Sequence, residues 1–116
     1  MAKTTITNLT TEAIVTHLNF HCFKAWKVYN GAVYNVKAQS YQKDLTKLKG
    51  VSDIIGFNKL NGLFIAVEVK TGKDELSSEQ IEFLSIVKRA GGIAIEAKTY
   101  DDFVKQFNEL KQQNKF

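Results

Sequence analysis

Apolar positions recur along this chain at two periods, and the switches between them mark out its elements. Ile14, Leu18 and Cys22 repeat at helical spacing. Thr10 or Thr11 is placed to cap that helix, which is expected to run to about Cys22. Ala25 to Tyr29 reads as a short strand with Trp26 and Val28 on one face. Asn30-Gly31 is a turn signal, and Ala32 to Val36 reads as the returning strand. Residues 37–50 show no clean period and read as loop.

The pattern then sharpens. Ser52 to Phe57 and Leu63 to Lys70 read as two strands joined by the turn Asn58-Lys59-Leu60-Asn61-Gly62, an antiparallel hairpin. Along the second strand Leu63, Ile65, Val67 and Val69 share one face, and Phe64, Ala66, Glu68 and Lys70 the other. Both faces start apolar, which marks a central strand buried on two sides. Ser77 caps a helix to about Ala90, with Ile81, Leu84, Val87 and Lys88 along its inner stripe, and Gly91-Gly92 stops it. Ile93 to Ala97 is a strand, so Leu63 to Ala97 forms a strand–helix–strand unit with a parallel pair. A last helix from Tyr100 to about Gln113 presents Tyr100, Phe103, Val104, Phe107 and Leu110, and Thr99 and Asp102 have capping-box-like spacing at its start. The expected fold class is α/β, a mixed central sheet flanked by helices in the order α-β-β-β-β-α-β-α.

Composition adds bounds. The chain has 116 residues, 44% hydrophobic and 24% charged, and reads as a single domain over residues 1–116. No apolar run approaches the ~18 residues of a membrane span. Met1 to Thr11 is polar and Thr-rich and lacks the apolar run of a secretory signal. Cys22 is the one cysteine, which rules out an internal disulfide or a Cys-rich zinc site. A cytoplasmic protein is expected.

Net charge is +4 and unevenly placed. Residues 1–50 carry seven lysines against Glu12 and Asp44, whereas residues 51–116 carry nine Lys and Arg against ten Asp and Glu. Lys24, Lys27, Lys37, Lys43, Lys47 and Lys49 alternate with Tyr29, Tyr34, Tyr41 and several Asn and Gln. That mixture suits phosphate contact and base stacking, although a solvated lysine-rich loop has the same composition.

The candidate chemistry lies in Asp53, Glu68 and Lys70. Glu68 and Lys70 stand two residues apart and share one strand face, and the hairpin brings Asp53 beside Glu68. Two adjacent carboxylates raise each other's pKa unless a cation sits between them. A hard divalent cation such as Mg²⁺ takes oxygen ligands and retains waters, and the Val69 carbonyl offers a further oxygen. A water made more acidic by the metal would attack, with Lys70 orienting it or neutralising charge building on a phosphate. Glu-x-Lys alone is unspecific, since charged pairs are common at strand ends. Here both carboxylates interrupt strongly apolar strands, and Gly50 and Gly56 bracket Asp53.

Gly50-Val51-Ser52-Asp53-Ile54-Ile55-Gly56, Ile65-Ala66-Val67-Glu68-Val69-Lys70, Leu76-Ser77-Ser78-Glu79-Gln80 and Ala90-Gly91-Gly92 together resemble the VRR-NUC group of the PD-(D/E)XK nuclease superfamily, common in phages. The resemblance covers roughly residues 10–100. It implies a restriction-endonuclease-like fold and Mg²⁺- or Mn²⁺-dependent cleavage of DNA. Small stand-alone members look like structure-selective or junction-directed nucleases, often dimeric. Branched or duplex DNA and a second copy of the chain are thus the implied partners, and the host cytoplasm the compartment if the protein is phage-encoded. By position, Asp53 and Glu68 would bind metal and Lys70 would assist the water. Gln80 matches a glutamine that opens the next helix near the site, and Glu12 sits where related enzymes often place a further acidic residue. The proline often preceding the aspartate is Ser52 here, a backbone-shaping position that gives no ligand.

Gln80 also completes a capping box with Ser77, and Glu12 also suits a helix's first turn, so each has a purely local explanation. His17 and His21 have zinc-compatible spacing but no third ligand, which favours a structural or DNA-facing role. Cys22 reads as core, and Trp26 as core too, with a stacking role as its alternative. Two other classes stay open: a non-catalytic DNA-binding module on the same fold, and a structural or interaction protein with no nucleic-acid role.

Overall fold

The computed structural model describes residues 3–28, 33–35, 40–42 and 50–116. The elements run α1 (Lys3–Phe20), β1 (Phe23–Lys27), β2 (Val33–Asn35), β3 (Ser40–Gln42), β4 (Ile54–Asn58), β5 (Phe64–Val69), α2 (Ser78–Arg89), β6 (Ile93–Ala97) and α3 (Tyr100–Gln112). A four-stranded sheet has the order β1-β4-β5-β6. β4 pairs antiparallel with β1 and β5, and β6 joins β5 in parallel. This is the α/β architecture of the restriction-endonuclease-like class, in the expected order, with β3 added in the segment read as loop. β2 pairs with β3 in a separate two-stranded sheet, not with β1. The nearest-neighbour hairpin rule thus fails for β1, whose long ladder partner is β4. The turn at Asn30-Gly31 and the lysines at 37, 43, 47 and 49 lie outside the described residues.

α1 begins well before Thr10. Threonine is a poor helix former, but the Thr11 hydroxyl donates back to the Thr7 carbonyl at 2.8 Å, and the Thr7 hydroxyl bonds that of Thr71 just beyond β5. Long-range contact therefore outweighs propensity. Ile14 and Leu18 pack fully buried on the sheet. The helix stops at Phe20 because Cys22 takes a left-handed backbone (φ 69°) to turn into β1. That turn carries Cys22 off the apolar stripe, and it is exposed rather than core.

Strand alternation sorts the core into two layers. Phe23, Ile54, Ile65, Val67, Ile93 and Ile95 meet α1 and the Phe103 and Phe107 rings of α3. On the opposite face Ala66 and the flanking Ile55 and Ala94 meet Leu84 and Val87 of α2. α2 packs on β5 and β6, and β1 and β4 keep exposed aromatics on that face. Trp26 is accordingly 43% exposed instead of core. The inner stripe of α2 is also rotated from expectation: Ile81 is 52% exposed, and Lys88 faces solvent. Gly91 (φ 92°) ends α2 with its N–H on Lys88 O and the Gly92 N–H on Val87 O, the paired bonds of a glycine C-cap. No helix among the described residues is long and apolar enough to cross a membrane.

Gly56 lies in mid-β4 between Ala25 and Ile65. A Cβ there would stand 2.3 Å from the Lys24 carbonyl oxygen and 2.8 Å from Ala25 Cα, both backbone atoms that move only with the strand. Gly56→Ala should lower stability by about 2–3 kcal/mol, read as an earlier urea midpoint. An unchanged midpoint would show that β1 and β4 pack less closely.

Candidate active site

The β4–β5 register sets Ile54 opposite Val67, so the next step up the ladder sets Asp53 opposite Glu68. The Val69 N–H donates to Asp53 Oδ2 at 2.8 Å, and the Val28 N–H donates to the Asp53 carbonyl at 2.7 Å. Asp53 is thus held from both neighbouring strands, just ahead of β4. An extended residue points its N–H and C=O to the same side. The Val69 carbonyl therefore faces the Asp53 side of β5, while its side chain is buried.

Glu68 is completely buried. Gln80 Nε2 donates to its Oε1 at 3.0 Å. Its Oε2 is buried without a hydrogen-bond partner, and the Glu68 carboxyl as a whole contacts that of Asp53. Burial first, then the contact with Asp53 and its negative charge, push the Glu68 carboxyl up to about 9; Lys70 opposes the shift and Glu96 adds to it. Lys70 follows on the same strand face, half-buried, its backbone N–H tied to Ala97 O at 3.0 Å.

Gln80 fits both readings of its position. Its Oε1 accepts from the Ser77 N–H at 2.8 Å, and its own N–H donates to Ser77 Oγ at 3.2 Å, a full capping box. With Oε1 so occupied, the amide has only its NH₂ group to turn toward Glu68. Helix capping therefore fixes the orientation of the group that touches the acid.

Glu12 is not brought to this pair. It is exposed on α1, which packs on the other sheet face. Among the described residues, no group of three or more His, Cys, Asp or Glu is arranged to hold a metal. The acid that sequence reasoning missed is Glu96, in parallel register beside Glu68. Lys98 Nζ lies 3.4 Å from Glu96 Oε2 and donates to Asp74 O at 2.8 Å. The signal was present: Glu68-Val69-Lys70 and Glu96-Ala97-Lys98 repeat one spacing on strands expected to be parallel neighbours.

His17 and His21 stack at 4.3 Å, and His17 Nδ1 bonds the Tyr100 hydroxyl at 3.0 Å among the edges of Phe103 and Phe107. Burial, then His21, lower the His17 pKa. They belong to the α1–α3 packing.

A buried acid with one oxygen lacking a donor, pressed against a second acid, fits a hard divalent cation. Ionising both carboxyls is unfavourable without one, and the donors at hand are all oxygen. The mixed sheet, with an acidic pair at strand ends and a lysine two residues on, defines a nuclease domain of the PD-(D/E)XK type. The model of the VRR-NUC domain matches residues 14–100, most of the chain, and the chain belongs to that family. Among curated proteins, none matches it. Membership implies nuclease-type processing of DNA.

Proposed function

We propose that this protein is a divalent-metal-dependent endonuclease that hydrolyses DNA phosphodiester bonds at Asp53, Glu68 and Lys70. The observation that carries the reading is the buried Glu68 carboxyl, in contact with Asp53 and with its Oε2 unpartnered. Asp53, Glu68 and the Val69 carbonyl would hold the Mg²⁺ or Mn²⁺. The ion, when bound, neutralises the two acids and polarises the phosphate and a water.

Gln80 holds one Glu68 oxygen and leaves the other without a partner. The Lys70 ammonium hydrogen-bonds the attacking water and then offsets negative charge gathering on the phosphate oxygens. In that step the water oxygen bonds phosphorus, one phosphorus–oxygen ester bond breaks, and the proton the water gives up ends on the departing oxygen. Glu12 enters only as an outer group, since α1 keeps it away from the acidic pair. Selectivity for branched or junction DNA, cut by a homodimer, is the finer form of this reading and rests on the sequence resemblance.

The test is a panel of linear, flapped and four-way DNAs with Mg²⁺, Mn²⁺ or chelator, beside a calorimetric metal titration. Internal cuts that require a divalent ion are expected. DNA binding without metal heat or cleavage would instead make the chain a non-catalytic DNA-binding module.

A further inference from the structure

On the sheet face that carries the acids, the registers of β1, β4 and β5 lay out three rows. Lys24, Phe57 and Phe64 form one row, Trp26, Ile55 and Ala66 the next, and Val28, Asp53 and Glu68 the last. α2 covers the Ala66 and Glu68 side of this grid. Trp26 and Phe57 remain 43% and 41% exposed, their rings edge to face with centroids 6.4 Å apart. Phe64 is 39% exposed beside them. An apolar ring cluster left open on a sheet is unusual unless something docks on it.

We propose that Trp26 and Phe57 form a stacking platform for an unpaired base of the DNA substrate. DNA as the occupant rests on the nuclease reading; the platform itself does not require cleavage. Two features favour a nucleobase. Lys24 stands directly across from Phe57 and is exposed, so a cation for a phosphate borders the rings. The platform is also continuous with the acidic row. Asp53 lies one strand over and one row up from Trp26, about 8 Å between backbones, or roughly two stacked nucleotide steps. Sheet-borne aromatics flanked by lysine are a general way to hold single-stranded bases. A continuous duplex keeps its bases paired and offers these rings no face. A strand opened at a branch, flap or nick does.

Trp26 is the only tryptophan in the chain, so its emission reports on this surface alone. In chelator, the full protein is titrated with a short oligothymidylate and with a blunt duplex of equal charge. Saturable quenching by the single strand is expected. Trp26→Ala should weaken single-strand binding about ten-fold, with a smaller loss for duplex, and Trp26→Phe should restore most of it. Emission unmoved when binding is saturated would overturn the platform. So would a Trp26 already shielded from acrylamide without DNA, which would assign the face to a second copy of the chain. The two readings fail separately: cleavage with a silent Trp26 removes the platform alone, and quenching without cleavage removes the nuclease alone.

Discussion

Replacing Glu68 by glutamine should stabilise the metal-free protein while lowering cleavage by about a thousand-fold or more. The two effects share one cause. The folded Glu68 carboxyl titrates at about 9 against an ordinary value of 4.5. Between those pH values the folded chain holds a proton that the unfolded chain releases. Stability is therefore greatest below the unfolded value and falls as pH rises toward 9. At pH 7 that penalty reaches up to about 3 kcal/mol. A glutamine amide carries no such penalty. Its oxygen accepts from Gln80 as before, and its NH₂ donates to Asp53 at every pH, whereas the acid can do so only while protonated. Urea unfolding in chelator at pH 5, 7 and 9 reads the difference: a falling midpoint for the wild type and a flatter one for the variant. The same change removes a negative ligand from the proposed metal site, so cleavage fails. A variant that cuts at the normal rate, or is less stable at pH 7, would refute the paired-acid account.

Lys70→Met should separate chemistry from metal binding. Methionine keeps most of the stem's length and packing, and the structural tie of Lys70 is its backbone N–H on Ala97 O. The fold should therefore hold. Single-turnover cleavage should fall by about 10²–10³-fold, the range for removing one donor aimed at developing charge. Calorimetric Mn²⁺ affinity should stay the same or rise, because a positive charge leaves the vicinity of the acids. Wild-type cleavage by the variant would exclude Lys70 from the reaction. Lost metal binding would instead assign it to the architecture of the site.

Much of this site was legible in the sequence because strand alternation is rigid. Two residues along β5 must return to the same face, so the spacing of Glu68 and Lys70 alone groups them. The turn at Asn58 to Gly62 set the hairpin that brings Asp53 to Glu68. The parallel β5–β6 pair followed from the intervening helix, and Gln80 was legible both as a cap and, through the family resemblance, as a residue near the site.

What escaped depends on contacts between distant segments. Thr7 and Thr71 are 64 positions apart, and helix propensity carries no trace of their bond. β1 finds its partner beyond the next strand in sequence, which a local turn rule does not anticipate. Trp26 looked like core because it is large and apolar, yet α2 reaches only the other half of that sheet face. Glu96 becomes legible only when its spacing to Lys98 is set beside that of Glu68 to Lys70.

The double attachment of Gln80 narrows what this position tolerates. A capping box ordinarily accepts glutamate as readily as glutamine, since either oxygen serves the backbone. Here the far end of the side chain must give a hydrogen to a buried carboxyl. Glutamate would satisfy the helix and aim another anion at Glu68, so a choice that helix chemistry leaves open is closed by the acid underneath.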